Sequence, residues 1–254
     1  MEHHVVVALP GRFAGWPANN GAFQFREDGS ELLVGFTDCP FVSTDTGHNT
    51  VDPTDDEPQP YVSLLARSLN GGASWAVERP PNYVGRPASE PRRRAAGAGD
   101  FLAPGFAMRV VGQGYHGAAV PEGGFYTTHD RGASWDGPFT FEGLAAEPEL
   151  AGMEITARTC TVVEGTDQIA ALLSARPING DGLNVVTDKT FTARTEDGGA
   201  NWCFCGWLIP LTDPYRAVMP AVTVLHTGPE TTIFILVTIS DQIESVCNAS
   251  HAPP

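Results

Sequence analysis

Arginine and carboxylate dominate the side chains of this sequence whose type and setting suit chemistry. Arg158 and Arg216 each stand at or near the start of an apolar, strand-like run, with Glu154 four residues before Arg158 and Asp100 ahead of an earlier run. A guanidinium stays charged at every working pH and its planar fork matches a carboxylate. Such an arginine can therefore hold an anionic ligand, or pair with a buried carboxylate such as Glu154 to tie strands together. An Asp ahead of a strand, as Asp100 is, also commonly caps a turn. Other reactive types are sparse. Cys39, Cys160, Cys203, Cys205 and Cys247 are odd in number and too few for a disulfide framework, so buried free thiols are the expectation. Cys203 and Cys205 point the same way on a strand, but no further Cys or His stands at ligand spacing, and His3-His4 is only a doublet. No metal and no cofactor are expected. Arg92-Arg93-Arg94, set among Pro, Ala and Gly, reads as a solvated loop.

The elements that must position these residues follow from composition and repeats. The chain has 254 residues, 42% of them hydrophobic, which is enough to bury a substantial core. With 28 Gly and 21 Pro against 15 Lys+Arg, it is rich in turns with short apolar runs between them, the pattern of an all-β protein. A formal net charge of -15 argues against nucleic acid or an anionic membrane as partner, since both need a basic surface. No segment is long enough to span a bilayer. The first ten residues lack a basic region before their short apolar run, so no export signal is expected and the default location is cytoplasmic. On that footing the sequon Asn248-Ala249-Ser250 is a chance match.

Three octets align without gaps: Ser68 to Trp75, Thr128 to Trp135 and Thr195 to Trp202, their starts 60 and 67 residues apart. Each has a hydroxyl residue first, Asp or Asn third, Gly fifth, a small polar residue seventh and Trp eighth. The third residue folds its side chain onto nearby backbone N–H groups, the Gly takes an angle other residues resist, and the Trp packs the turn on a sheet. The octets are hairpin staples, strong evidence of architecture and silent on chemistry.

The octets resemble the Asp-box, S/T-x-D-x-G-x-S/T-W, of the sialidase superfamily. Gly15 to Gly21, Ala157-Arg158-Thr159 and Tyr215 to Pro220 extend the likeness to bacterial sialidase-like proteins over roughly residues 11 to 230. The resemblance implies a β-propeller in which each box joins strands three and four of a four-stranded blade. Strands then fall at 21–25, 31–38, 61–68 and 75–79; at 106–111, 115–120, 124–128 and 134–141; and at 154–163, 168–175, 190–195 and 201–208. A fourth group begins with 217–225 and 231–239. The chain thus reads as one partial propeller domain, with blades at about 11–79, 106–141, 154–208 and 217–239 and a tail at 240–254. These make about three and a half blades, where the family has six and closed propellers have four to eight. An open arc exposes strand edges. The expectation is therefore a piece of a longer product, self-association through the open edge, or terminal segments that cover the flank.

Box turns mark one face of a propeller, so the long loops 39–60, 79–105, 142–153 and 176–189 belong to the other, the usual home of binding groups. The residues opening the innermost strands should cluster there: Trp16, Asn19 and Asn20, then Asp100, then Glu154 with Arg158, then Arg216. Sialidases grip a substrate carboxylate with three arginines and use a Tyr nucleophile activated by Glu, with an Asp as acid/base. The resemblance assigns Arg158 and Arg216 to two of those arginines and Asp100 to the acid/base. It departs at the first innermost strand, where Gly15-Trp16-Pro17 replaces the family's Arg-x-Pro, and it identifies neither a third arginine nor a Tyr nucleophile. Two functions stay open: a sialidase-like glycosidase or its inactive fragment acting on an acidic sugar, and a noncatalytic propeller binding a protein or glycan. The acidic stretch Asp45 to Glu57 counts against an anionic ligand on its side.

Overall fold

The computed structural model describes residues 3–41, 62–83, 90–112, 123–156, 158, 160–178, 188–227 and 230–240. These residues form four antiparallel sheets that follow one another along the chain, the all-β blade pattern of a β-propeller. The first sheet contains β1 (Arg12–Gly15), β2 (Ala22–Gln24), β3 (Leu32–Pro40), β4 (Val62–Ser68) and β5 (Ala76–Glu78). β1 and β2 both pair with β3, so together they are one interrupted innermost strand. The second sheet is β6 (Ala107–Val111), β7 (Gly124–Thr128) and β8 (Asp136–Phe139). The third repeats the plan of the first: β9 (Met153–Thr156) and β10 (Thr161–Val163) share β11 (Ile169–Pro177), followed outward by β12 (Lys189–Thr195) and β13 (Cys203–Trp207). The fourth is β14 (Arg216–Thr227) paired with β15 (Glu230–Ser240).

The innermost strands differ from the sequence expectation. The stretch 21–25 supplies only the second half of the first one. The first half, β1, ends before Pro17, which lacks a ladder N–H and opens the helical turn α1 (Pro17–Asn20). The stretch 154–163 is not continuous either, but divides into β9 and β10 around Arg158. In the second blade β6 pairs directly with β7, and 115–120 lies outside the described residues. Pro220 is tolerated within β14 because it sits at a bulge, where the register shifts between Val218 and Ala221.

All three octets close the same turn. The first-position hydroxyl accepts the fifth-position N–H at 2.8 Å (Gly72 to Ser68), 2.9 Å (Gly132 to Thr128) and 2.9 Å (Gly199 to Thr195). The third-position side chain accepts the seventh N–H at 2.9 Å in each, on Asn70, Asp130 and Asp197. The fifth-position glycines have φ of 90°, 82° and 87°, the left-handed region that a side chain resists. Burial pulls the Asp130 and Asp197 pKa values up, but the hydrogen bonds from Ser134 and Asn201 outweigh it and hold both below the ordinary range.

The octet tryptophans dock one blade on the blade before. Trp135 leans on Phe23 and Tyr83, with ring centroids 5.9 and 5.3 Å away, and Trp202 leans on Phe125 and Phe141 at 5.5 and 5.2 Å. Both are 2% exposed. Trp75 was expected to be equally buried and is only half-buried, because no blade precedes the first among the described residues. Leu69 and Val77 beside it are exposed. Between two such contacts, β6 uses the strand period of two to serve two cores. Ala107 and Val111 join Leu33, Leu65 and Trp135, while Met108 and Val110 join Phe125, Phe191 and Trp202. Glu31 bridges Arg67 at 2.9 Å and Arg131 at 3.0 Å, which ties the octet ends of the first two blades.

Two expectations about single residue types are corrected. Arg92 and Arg93 are exposed, but Arg94 is buried, donates to Thr127 Oγ1 at 2.7 Å and lies over the Phe139 ring at 4.9 Å. Cys39 is buried and Cys160 half-buried, with burial pushing the Cys160 thiol up to about 11, whereas Cys203 and Cys205 are exposed on the outermost strand β13.

Candidate functional site

The site forms where the innermost strands break. Asn20 anchors α1: its Nδ2 donates to Trp16 O at 2.9 Å and to Thr37 Oγ1 at 3.1 Å, and its carbonyl accepts from the Tyr83 hydroxyl at 2.9 Å. Gly35 makes this approach possible, since a Cβ there would lie 2.7 Å from Asn20 atoms. Held in this way, adjacent asparagines reach arginines of two other blades. Arg109 Nη2 donates to Asn20 Oδ1 at 2.7 Å, and Arg158 Nη1 donates to Asn19 Oδ1 at 2.8 Å.

Beyond Arg158 lies Asp188, fully buried immediately before β12. Its Oδ2 accepts from Arg216 Nη2 at 2.9 Å and Nε at 3.3 Å, and lies 3.9 Å from Arg158 Nη2. The two arginines singled out from sequence thus meet at one carboxylate oxygen. Asp188 Oδ1 has no hydrogen-bond partner among the described residues. Glu154 pairs with Arg176 rather than with Arg158. Two bonds to Ala217 fix β14 here: its N–H donates to Asp188 O at 3.0 Å, and its carbonyl accepts from the Thr190 hydroxyl at 2.8 Å. This is the end of the sheet away from the octet turn: β12 runs from Lys189, opposite Ala175, to Thr195, which opens the third octet.

Arg109 was not singled out from sequence. It is 2% exposed, lies over the Tyr83 ring at 4.1 Å and also donates to Ser63 Oγ at 3.2 Å. Burial lowers its pKa and pushes that of Tyr83 up to about 12. Arg158 and Arg216 thus meet at Asp188, while Arg109 is held by Asn20, Ser63 and the Tyr83 ring.

Asp100 lies elsewhere. It was expected on the axial face, but its loop packs on the octet side: Gly97 N–H donates to Asp197 O at 3.1 Å and Phe101 N–H to Thr166 O at 2.8 Å. Its carboxylate is exposed and acts on His129, where it opposes a pKa lowered by burial and by Arg94. The acidic stretch 45–57 lies outside the described residues. Among the described residues no three His, Cys, Asp or Glu are grouped to hold a metal, and no helix is long and apolar enough to cross a membrane.

No family model and no curated protein matches the chain. Among solved structures it is similar to a protein of unknown function from Dyadobacter fermentans, at 15% identity and a TM-score of 0.45 over 88% of this chain and 60% of that one. It is also similar to a Penicillium chrysogenum alpha-L-arabinanase complexed with arabinobiose, at 15% identity and a TM-score of 0.43 over 83% and 59%. The chain thus spans about 60% of the length of these two structures. Neither likeness assigns a ligand to it.

Proposed function

We propose that this chain binds an acidic sugar, sialic acid foremost, at the axis of a sialidase-like propeller, and that it does so without efficient hydrolysis. The observation that carries the reading is the convergence of Arg158 and Arg216 on Asp188 Oδ2. Two guanidiniums in reach of one oxygen are already arranged for a carboxylate. The octets, read as Asp-boxes, support the ancestry.

Binding is favoured over turnover by the tyrosine in the cluster. A phenol nucleophile needs a neighbouring base or a lowered pKa. Tyr83 has its pKa raised to about 12 and donates its hydroxyl to Asn20 O. Asp100, the acid/base implied by the resemblance, lies on the octet side. Self-association belongs to the same reading. The Trp-bearing turn docks on a neighbouring blade twice within the chain, and its third copy, at Trp75, is half-exposed. Sedimentation of wild type against Trp75→Glu tests it, with loss of the dimer expected and unchanged sedimentation counting against it.

The test of function is titration of the purified chain with sialic acid, glucuronic acid and neutral galactose, alongside turnover of an activated aryl sialoside. The acids bind and galactose does not. Arg216→Ala weakens binding at least about tenfold, the scale of one charged hydrogen bond, and Arg93→Ala leaves it unchanged. Turnover is negligible. Equal binding of galactose would refute the site, and robust hydrolysis abolished by Arg216→Ala but not by Arg93→Ala would refute the noncatalytic reading.

A further inference from the structure

We propose that Lys189 is a positioning residue for Arg216, its buried ammonium holding the backbone that leads into β14 so that the Arg216 guanidinium stays placed to receive a ligand carboxylate. This inference rests on the acidic-sugar reading above. Lys189 follows Asp188, opens β12 and is 4% exposed. Its Nζ donates to Asp213 O at 2.6 Å and to Tyr215 O. The second of these carbonyls belongs to the peptide bond that joins Tyr215 to Arg216.

Three consecutive residues thus hold the start of β14. Asp188 takes the Arg216 guanidinium with its carboxylate and the Ala217 N–H with its carbonyl, and the Thr190 hydroxyl donates to Ala217 O. Side chains of successive strand residues leave opposite faces, so Lys189 braces the approach to Arg216 from the face that Asp188 and Thr190 do not use. The stretch it braces is at the surface. Leu211 and Tyr215 are exposed, and two bonds within the turn, Asp213 N–H to Pro210 O at 3.0 Å and Tyr215 N–H to Asp213 Oδ1 at 2.9 Å, are local. Local bonds shape this turn but do not tie it to β12, whereas the Lys189 bonds do. The residue type agrees with that duty. Burying an ammonium is costly unless its donors are satisfied, and an apolar side chain would fill the position without that cost. Three donors on a long stem instead draw two carbonyls inward together. A side chain that must meet a ligand in fixed geometry needs such a supporting residue behind it.

The test uses the full chain, sialic acid and its methyl ester. Lys189→Met keeps the length of the side chain and removes the ammonium. It weakens binding of the acid about tenfold and changes binding of the ester by less than about twofold. Combined with Arg216→Ala it weakens binding of the acid no further, because the residue through which it acts is gone. If Lys189→Met does not stay folded, Lys189→Gln, shorter and uncharged, takes its place in the same comparison, with melting followed for each protein. A merely structural lysine would weaken acid and ester alike, and by the same factor with and without Arg216. If wild type binds the acid and either of those patterns is found, or the Lys189 variant stays within about twofold of wild type, the positioning role is overturned and the site stands. If wild type binds neither sialic acid nor glucuronic acid, the acidic-sugar reading fails and takes this proposal with it.

Discussion

Arg109 shows what a residue-level reading of sequence can and cannot reach. Arginine is seldom fully buried, so an arginine in an apolar run such as Ala107 to Val111 gives no hint of its partners. Those partners, Asn20 and Ser63, are 89 and 46 residues away in the chain. Arg158 and Arg216 were legible as candidates through the motifs around them, yet their shared carboxylate, Asp188, was not, since nothing local marks it. The buried contacts of Arg109 make a stability prediction. Asn20→Ala strips the guanidinium of a charged hydrogen bond inside the core and costs about 3 kcal/mol. Arg109→Ala costs a similar amount by stranding Asn20 and Ser63, and the double variant costs clearly less than the two losses added together. Urea denaturation of the four proteins decides this, and strict additivity would show that the contact contributes nothing.

At the scale of elements, the octet turns were the most legible part of the chain because their bonds close within eight residues. A hydroxyl, a carboxylate or amide, and a glycine suffice to specify the turn, and the flanking strands β4, β7 and β12 follow from it. The innermost strands were misjudged because their breaks depend on long-range contacts, α1 on Tyr83 and Gly35, and the gap at Arg158 on Asn19. Packing across blades likewise separates the three tryptophans. Trp202→Ala opens the contact with Phe125 and Phe141 and costs about 3–5 kcal/mol. Trp75→Ala, at a half-buried site, costs about 1 kcal/mol, and equal losses would contradict the blade-docking account.

The turns also titrate. Asp130 and Asp197 have folded-state pKa values below their ordinary 3.8, so each contributes stability that is present above about 3.8 and lost as pH falls through the folded value. The first octet carries Asn70 at this position and does not titrate, yet its turn is the same. An Asp130→Asn, Asp197→Asn double variant should therefore lose less melting temperature between pH 5 and pH 3 than wild type does, to the order expected from two such carboxylates. Identical acid profiles would remove the two carboxylates as the cause.

At the scale of the whole molecule, the residues of the candidate site come from several sheets. Asn19 comes from the first blade, Arg109 from the second, Arg158 and Asp188 from the third and Arg216 from the fourth sheet, and no single blade contains a site. The all-β class and the three stapled turns were readable from the octets. The face on which Asp100 lies was not, because its loop is set by backbone bonds to Asp197 and Thr166, far along the chain. The central claim is that this assembly recognises a carboxylate, and it is tested most directly by comparing sialic acid with its methyl ester, which lacks the charge and carries one added methyl group. Wild type should bind the acid at least about thirtyfold more tightly than the ester, the scale of a charge-assisted pairing, and Arg216→Ala should nearly abolish that difference. Equal affinity of wild type for acid and ester would contradict the account.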